Sequence, residues 1–366
     1  MLLATPQSTL LRTPSTCHLH RLVALKSYGS PQQTRLAAVT ERERRRPREE
    51  NVPGDFYVDR TCIDCDTCRW MAPETYTRIN EQAAVQLQPH TPEERRRALQ
   101  ALLACPSFSI HARTKEAAEW TAVLQDLPIP IPGLNNVFHL VFSAGSSYGA
   151  ISYLICRPEG NIMMDSPRFD VRLLKRIQAL GGAKYMCLSH RDDVCDHAQW
   201  AAALGCTRLM HGSECHTSQG TDAVEIKLEG EGPWQLPDGD VNFELIYTPG
   251  HTIGQVVMLY RPERVLFSAD HWVYSEEEQS VSLMRKYNQH SMEVQMESLE
   301  KLKPLDFVHV LPGHRRRMSF KDKAAKDAAI DLTIAAEKAN LNEPGAGRRV
   351  FRNAADASFM GAFGPS

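Results

Sequence analysis

The sequence has 366 residues, 42% of them hydrophobic and 23% charged, which predicts a soluble globular protein larger than one average domain. No apolar run approaches the roughly 18 residues that a spanning helix needs, so the composition excludes an integral membrane protein. The formal net charge of −2 provides no basic field for nucleic-acid binding. Ten cysteines are too few for a disulfide scaffold in a chain of this length, and their clustering favours metal binding.

The first forty residues contain no Asp or Glu, are rich in Ser and Thr, and carry four basic side chains. This composition is typical of an organelle transit peptide. The abundance of hydroxyl residues favours the chloroplast stroma over the mitochondrion. A mixed-charge linker follows, up to about residue 50.

Three cysteines come next, each separated by two residues, namely Cys62, Cys65 and Cys68. Cys105 follows and is itself followed by Pro106. Three closely spaced thiolates wrap one corner of a cubane cluster, and the fourth ligand then comes from a distant Cys-Pro. Between them Thr91, Pro92 and Glu94 form a capping box, which predicts a helix to about residue 103.

Residues 52–113 resemble a bacterial-type ferredoxin domain on these motifs. The resemblance implies one [4Fe-4S] cluster, because Ala72-Pro73 stands where two-cluster ferredoxins have Cys-Pro. A structural zinc site with four cysteine ligands is the alternative.

The chain beyond the Pro-rich segment 127–133 alternates strand and helix signals to about residue 335. Asp170 is predicted to cap a helix that Gly181-Gly182 ends. Four later strands are followed by His or Asp residues, a placement that builds a rigid metal site. The four segments are Ser189–His197, Thr248–Thr252, Phe267–His271 and Leu311–His314.

These four motifs, with Asp165 after an early strand, resemble the metallo-β-lactamase superfamily over residues 135–320. The resemblance implies an αβ/βα sandwich with a one- or two-metal site on one edge. His190 and His251 would serve one metal, Asp196, His197 and His314 the other, and Asp270 would bridge them.

The first motif departs from the pattern His-x-His-x-Asp-His. The outer histidines are two residues further apart and the middle His is absent, with Asp192 or Asp193 nearby. The site is expected to hold one or two zinc ions. A carboxylate is a harder ligand than an imidazole, so its presence shifts the metal preference of the site toward iron or manganese.

Such a site lowers the pKa of bound water, and hydrolysis then needs no Ser or Cys nucleophile. The resemblance predicts a metal-dependent hydrolase of a small-molecule thioester or other ester, with Asp196 and Asp270 as catalytic residues. An iron-dependent oxidoreductase fed by the cluster is the alternative, and a non-catalytic redox-sensing or electron-transfer protein is the third reading. Both redox readings imply a plastid electron-transfer partner, and the combined motifs resemble ferredoxin/metallo-β-lactamase fusions of plants, algae and cyanobacteria.

The predicted class is therefore a multidomain α+β protein in which a ferredoxin-like domain precedes the sandwich. The predicted division is 1–50 transit peptide and linker, 51–118 ferredoxin-like domain, 119–133 linker, 134–335 metallo-β-lactamase-like domain and 336–366 loosely ordered tail.

Overall fold

The computed structural model describes residues 41–276 and 279–342. The predicted transit peptide at 1–40 lies outside these described residues, as does the predicted tail from residue 343 onward. No helix among the described residues combines the length and apolar character needed to cross a membrane.

The iron–sulfur half of the chain is built on two strand pairs and two helices. Its first and last strands pair antiparallel, with Phe56 opposite Ala112, and this pairing closes the domain. In chain order the elements are β1 (Phe56–Val58), α1 (Thr67–Met71), β2 (Tyr76–Ile79), β3 (Gln82–Val85), α2 (Pro92–Ala104) and β4 (Ile110–Ala112).

Helix α2 begins as the sequence predicts. The Thr91 hydroxyl accepts a hydrogen bond from Glu94 N, and the Glu94 carboxylate accepts one from Thr91 N. These bonds satisfy backbone groups that the first turn of a helix leaves without partners. Pro92 stands at the first helical position, where its missing N–H costs nothing.

The segment predicted as a linker, residues 119–133, includes most of helix α3 (Ala117–Gln125) and strand β5 (Ile129–Pro130). Strand β5 pairs with the next strand, with Ile129 opposite His139, and so becomes the edge of a large sheet. The last helix likewise runs on to Asn342, beyond the predicted end of the second domain at residue 335. The domain boundaries stay predictions.

That large sheet has seven strands in the spatial order β11-β10-β9-β8-β7-β6-β5. Strands β8 to β11 run parallel, and the remaining pairs are antiparallel. The strands not yet defined are β6 (Val137–His139), β7 (Tyr153–Ile155), β8 (Ile162–Met164), β9 (Tyr185–Cys187), β10 (Thr207–His211) and β11 (Ile226–Leu228).

A second sheet has five strands in the order β12-β13-β14-β17-β18, and a separate hairpin joins β15 to β16. Its only parallel pair among the described residues is β14 with β17. The bounds are β12 (Phe243–Tyr247), β13 (Val256–Tyr260), β14 (Val265–Ala269), β15 (Val273–Ser275), β16 (Ser280–Ser282), β17 (His309–Pro312) and β18 (Met318–Ser319).

The two sheets face each other across an apolar layer in which Tyr153 of the first contacts Phe267 of the second. The other helices pack on the outer faces: α4 (Val171–Ala179) and α5 (His197–Leu204) on the seven-stranded sheet, and α6 (Met292–Glu300) and α7 (Lys323–Asn342) on the five-stranded sheet. This is the predicted αβ/βα sandwich, and the prediction of the fold class is confirmed. Apolar side chains of the iron–sulfur domain continue the core beneath α4 and α5.

Candidate functional site

Four candidate ligands follow the ends of strands, as the sequence predicts. His190 comes shortly after β9, Asp270 directly after β14 and His314 shortly after β17, while His251 lies between β12 and β13. Each strand is hydrogen-bonded into a sheet and at least partly buried, so these loops start from fixed points.

The structure brings two imidazoles and two carboxylates together. His190 Nε2 lies 3.8 Å from Asp192 Oδ2 and 3.7 Å from Asp270 Oδ2. His251 Nε2 lies 3.8 Å and 3.6 Å from the same two oxygens. Four ligands at about 2.0–2.1 Å from a tetrahedral ion are about 3.4 Å apart. The four His–Asp separations are therefore only a few tenths of an ångström longer than those between ligands of a bound ion.

Both His190 and His251 have a ring nitrogen that makes no hydrogen bond and is available to a metal ion. Ser189 Oγ lies 2.9 Å from His190 Nδ1, which fixes the ring and leaves Nε2 without a partner. Neither ring nitrogen of His251 has a partner, although the residue is only 1% exposed. Burying such polar atoms unpaired is costly, and a metal ion satisfies them. Among the described residues the groups that could hold an ion both include His190.

Burial also sets the protonation state of His190, because it disfavours the charged imidazolium and lowers the pKa of this residue to about 4. The neutral ring that a metal requires therefore predominates at physiological pH.

His314 is tied to the same carboxylate from another side. Its Nδ1 lies 2.7 Å from Asp270 Oδ1, and its Nε2 lies 3.2 Å from the carbonyl oxygen of Ser147. Burial alone would lower the pKa of His314, but the charges of Asp270 and Asp193 outweigh it and raise that pKa to about 10. With no metal bound, His314 is an imidazolium that donates to Asp270.

Asp193 is the sixth acidic or imidazole group at this site and is one of the two alternatives that the sequence offers for a carboxylate ligand. It is fully buried, both its carboxylate oxygens lack partners, and burial raises its pKa well above the usual range. It forms a possible ligand group with His190 and Asp270, while Asp192 forms one with His190 and His251. Both carboxylates therefore lie at the site.

The structure does not bring Asp196 and His197 into this cluster, contrary to the family pattern. Asp196 Oδ2 accepts a hydrogen bond from Phe169 N, and His197 begins helix α5. The His197 ring lies 3.1 Å from Arg208 Nη1 at one nitrogen and 3.1 Å from the Gln219 carbonyl at the other. The two extra residues of the first motif carry these side chains past the site, and Asp192 and Asp193 stand there instead.

Two features of the site have little or no sequence signal. Gln289 Nε2 donates to Asp192 Oδ2 across nearly a hundred residues, and no motif marks it. Gly250 has φ +139°, and a Cβ there would lie 2.3 Å from the backbone of Gln295. The Pro-Gly-His motif thus needs glycine so that the loop carrying His251 can approach helix α6.

The four predicted cluster ligands, Cys62, Cys65, Cys68 and Cys105, line one pocket in the iron–sulfur domain. None forms a disulfide. Backbone N–H groups already point at two of the sulfurs: Ala83 N lies 3.4 Å from Cys62 Sγ and Ser109 N lies 3.2 Å from Cys105 Sγ. Such N–H···S bonds tune the potential of a bound cluster.

Without a cluster, Cys65 and Cys68 resist ionisation. Burial, followed by the charge of Cys105, raises the pKa of Cys65 to about 12, and burial raises that of Cys68 well above its usual value. Neighbouring thiols in such an environment suit a cationic metal group that takes them as thiolates.

Comparison with known families agrees with this geometry. Residues 58–112 match the 4Fe-4S single cluster domain of ferredoxin I, and residues 201–314 match the metallo-beta-lactamase superfamily. The second match begins after the first ligand motif, the segment in which the sequence departs from the pattern. No curated protein matches the chain.

Several solved metallo-beta-lactamases resemble the chain at low identity. VMB-1 at pH 5.5 is 16% identical with a TM-score of 0.44, and the match covers 56% of this chain and 95% of that one. DIM-1 is 16% identical with a TM-score of 0.43, covering 56% and 97%. The enzyme from Pontibacter korlensis is 11% identical with a TM-score of 0.41, covering 54% and 96%.

The protein is thus a two-part molecule, an iron–sulfur domain joined to a sandwich with a candidate metal centre. The chain carries a single-cluster ferredoxin domain followed by a domain of the metallo-beta-lactamase superfamily. Both resemblances stated from the sequence are confirmed.

Proposed function

We propose that this protein is a metal-dependent hydrolase of thioesters or other esters. The observation that supports the proposal is that the Nε2 atoms of the buried His190 and His251 each lie 3.6–3.8 Å from a carboxylate oxygen of Asp192 and one of Asp270. A divalent cation held there lowers the pKa of water and polarises a carbonyl group.

The surrounding residues have definable tasks in such a reaction. Gln289 Nε2 donates to the Asp192 carboxylate, and His314 Nδ1 lies 2.7 Å from Asp270 Oδ1. Each carboxylate thus has a partner that fixes its orientation before the substrate arrives, which is the preorganisation that stabilises developing charge. Asp196, expected from the sequence to be catalytic, has no part in this proposal because its carboxylate is bonded to the backbone of Phe169.

The test uses the full chain with its cluster intact, loaded with zinc, manganese or iron(II) under anaerobic conditions. Thiol release from a panel of acyl thioesters, and acid release from simple esters, is measured for each metal form. We expect turnover that His251→Ala abolishes and His309→Ala retains. His309 is a matched control because it lies on β17 of the same sheet, with its ring bonded to Ser319. An absence of turnover with every metal form and both substrate classes would contradict the proposal.

A second candidate function is an iron-dependent oxidoreductase that draws electrons from the cluster. Two observations favour it: the carboxylate of Asp192 hardens the site toward iron, and the segment that contacts His314 also contacts Cys65. The test reduces the cluster and follows its reoxidation with iron(III) or zinc at the metal centre. Faster reoxidation in the iron form supports this candidate, and equal rates reject it.

The remaining sequence predictions also enter as proposals. We propose a plastid location, with a stromal electron-transfer protein as the partner that reduces the cluster. The third hypothesis is a non-catalytic redox-sensing or electron-transfer protein. It is supported if neither catalytic activity is found and the cluster still exchanges electrons with such a partner.

A further inference from the structure

A single short turn contacts both the cluster ligands and the metal centre. This segment, residues 144–149, is called the coupling turn here. It leaves β6, forms a 3₁₀ turn at Gly145–Ser147 and returns toward β7. Its two ends and its middle face different partners, and none of these contacts is predicted by a motif.

On the cluster side the turn is in tight contact with the iron–sulfur domain. Gly149 has φ +93°, and a Cβ there would lie 3.0 Å from Cys65 Cβ, 3.2 Å from Pro106 Cγ and 3.5 Å from Cys65 Sγ. A Cβ on Gly145 would lie 3.5 Å from the Pro106 carbonyl oxygen. Cys65 is one predicted cluster ligand and Pro106 follows another, so the turn packs against two corners of the cluster loop.

On the metal side the turn is hydrogen-bonded to the loop of His314. The Ser147 carbonyl accepts from Ala150 N at 2.8 Å and lies 3.2 Å from His314 Nε2. Ile151 N, just beyond the turn, donates to the Gly313 carbonyl at 2.6 Å. Ser147 is only 3% exposed. The carbonyl is therefore the kind of partner that fixes the ring of a metal-site histidine.

A backbone hydrogen bond also closes the coupling turn. Gly149 N donates to the Ala144 carbonyl at 2.8 Å, which joins the two ends. A second tie runs beside it, because Arg316, two residues after His314, has its Nε 3.1 Å from Asp66 Oδ2, and Asp66 follows Cys65. Close-packed contacts of this kind transmit displacement because no free volume absorbs it.

We propose that the coupling turn links the oxidation state of the iron–sulfur cluster to the metal affinity of the His190 centre through His314. The proposal rests on the metal-dependent function proposed above and adds its regulation. A one-electron donor reduces the cluster, the added charge acts at the Cys65 corner, and Gly149 and the Ser147 carbonyl pass the change to His314. Coupling between two sites is reciprocal, so metal binding must change the cluster potential by the same free energy.

The experiment measures that reciprocal effect on the full chain with its cluster intact. The reduction potential of the cluster is determined by a redox titration followed by electron paramagnetic resonance, with the metal centre emptied by a chelator and then filled with zinc. A coupling of about tenfold in zinc affinity corresponds to a shift of about 59 mV for one electron. We expect about tenfold tighter zinc binding after reduction, and therefore, by reciprocity, a positive shift of the potential when zinc binds.

Two glycine variants separate contact from backbone strain. Gly149→Ala places a methyl group against Cys65, whereas Gly239→Ala imposes a similar strain at φ +75° with nothing within 4 Å of the new Cβ. We expect the zinc-dependent shift to be lost in Gly149→Ala and kept in Gly239→Ala. A shift that is the same in Gly149→Ala as in the wild type would be a through-space charge effect and would overturn the role of the turn.

His314→Gln decides the matter if Gly149→Ala fails to hold its cluster. The variant lacks the imidazole that meets Ser147 but retains His190, Asp192 and His251 for zinc, so zinc binding without a potential shift is expected. A shift that persists in His314→Gln, or no shift in the wild type, overturns the proposal. If the protein hydrolyses esters but shows no zinc-dependent shift, the proposed function stands and the coupling is rejected. If it shows the shift but no hydrolysis, only the proposed function is rejected.

Discussion

His251 offers a test that separates a metal ligand from a buried structural histidine. Its ring is 1% exposed and neither nitrogen has a hydrogen-bond partner. In the metal-free protein, His251→Ala removes packing but also removes unpaired polar atoms that cost about 1–3 kcal/mol. These two effects oppose each other, so we expect the metal-free variant to be within about 1 kcal/mol of the wild type.

The metal-loaded protein should behave differently. At a zinc concentration 100 times the dissociation constant, binding stabilises the folded state by about 2.7 kcal/mol. Loss of a group that only hydrogen-bonds to a metal ligand weakens metal binding by up to about 100-fold. Loss of one of the four proposed ligands themselves should therefore weaken zinc binding by at least about 100-fold. At the same zinc concentration the variant then retains only about 0.4 kcal/mol of that stabilisation.

The difference of about 2.3 kcal/mol corresponds to a fall in Tm of roughly 5–9 °C for a domain of this size. Differential scanning calorimetry with zinc and with chelator measures both states, and metal analysis gives the zinc content. His309→Ala serves as the control that should keep its zinc-dependent stabilisation. Equal destabilisation of His251→Ala with and without zinc would show that the residue is structural, and the metal-site reasoning would be wrong.

Three further predictions concern the cluster, the metal preference and pH. Cys65→Ser should lower the iron and inorganic sulfide content per chain, measured chemically, because an alkoxide is a poor substitute for a thiolate; full retention of both would contradict the ligand assignment. Asp192→His should raise the preference for zinc over manganese in competitive binding, because it replaces an oxygen ligand with an imidazole; an unchanged ratio would place Asp192 outside the site. His139, whose pKa burial lowers to about 3, stays neutral when folded but binds a proton below about pH 6.5 when unfolded. Stability should therefore fall by up to about 1.4 kcal/mol per pH unit between about pH 6.5 and 3, and His139→Phe should reduce this slope in urea unfolding; identical slopes would refute the assignment.

The sequence predicts those features whose signals are local. The capping box at Thr91 and Glu94 lies within one turn of helix, and the spacing of Cys62, Cys65 and Cys68 is set within a single loop. The strands that precede the metal-site loops are short apolar runs bounded by turn residues. Both domains could be recognised from such patterns because each motif contains most of the interactions that it needs.

Only the tertiary structure decides which neighbours of a motif reach the site. Asp192, Asp193, Asp196 and His197 all have ligand chemistry, but the extra length of the loop takes the last two to backbone groups and Arg208. That outcome depends on where helix α5 starts against the sheet, which no local pattern encodes.

The contacts that complete the metal centre and join it to the iron–sulfur domain are non-local in the same way. Gln289 meets Asp192, Gly149 packs against Cys65 and the Ser147 carbonyl meets His314, each pairing residues that are distant in the chain. The sequence by itself indicated the two folds and most of the side chains that lie at the two candidate sites. Their connection through one turn was decided by packing, because a glycine or a backbone carbonyl has no chemical signature until a second chain segment is placed against it.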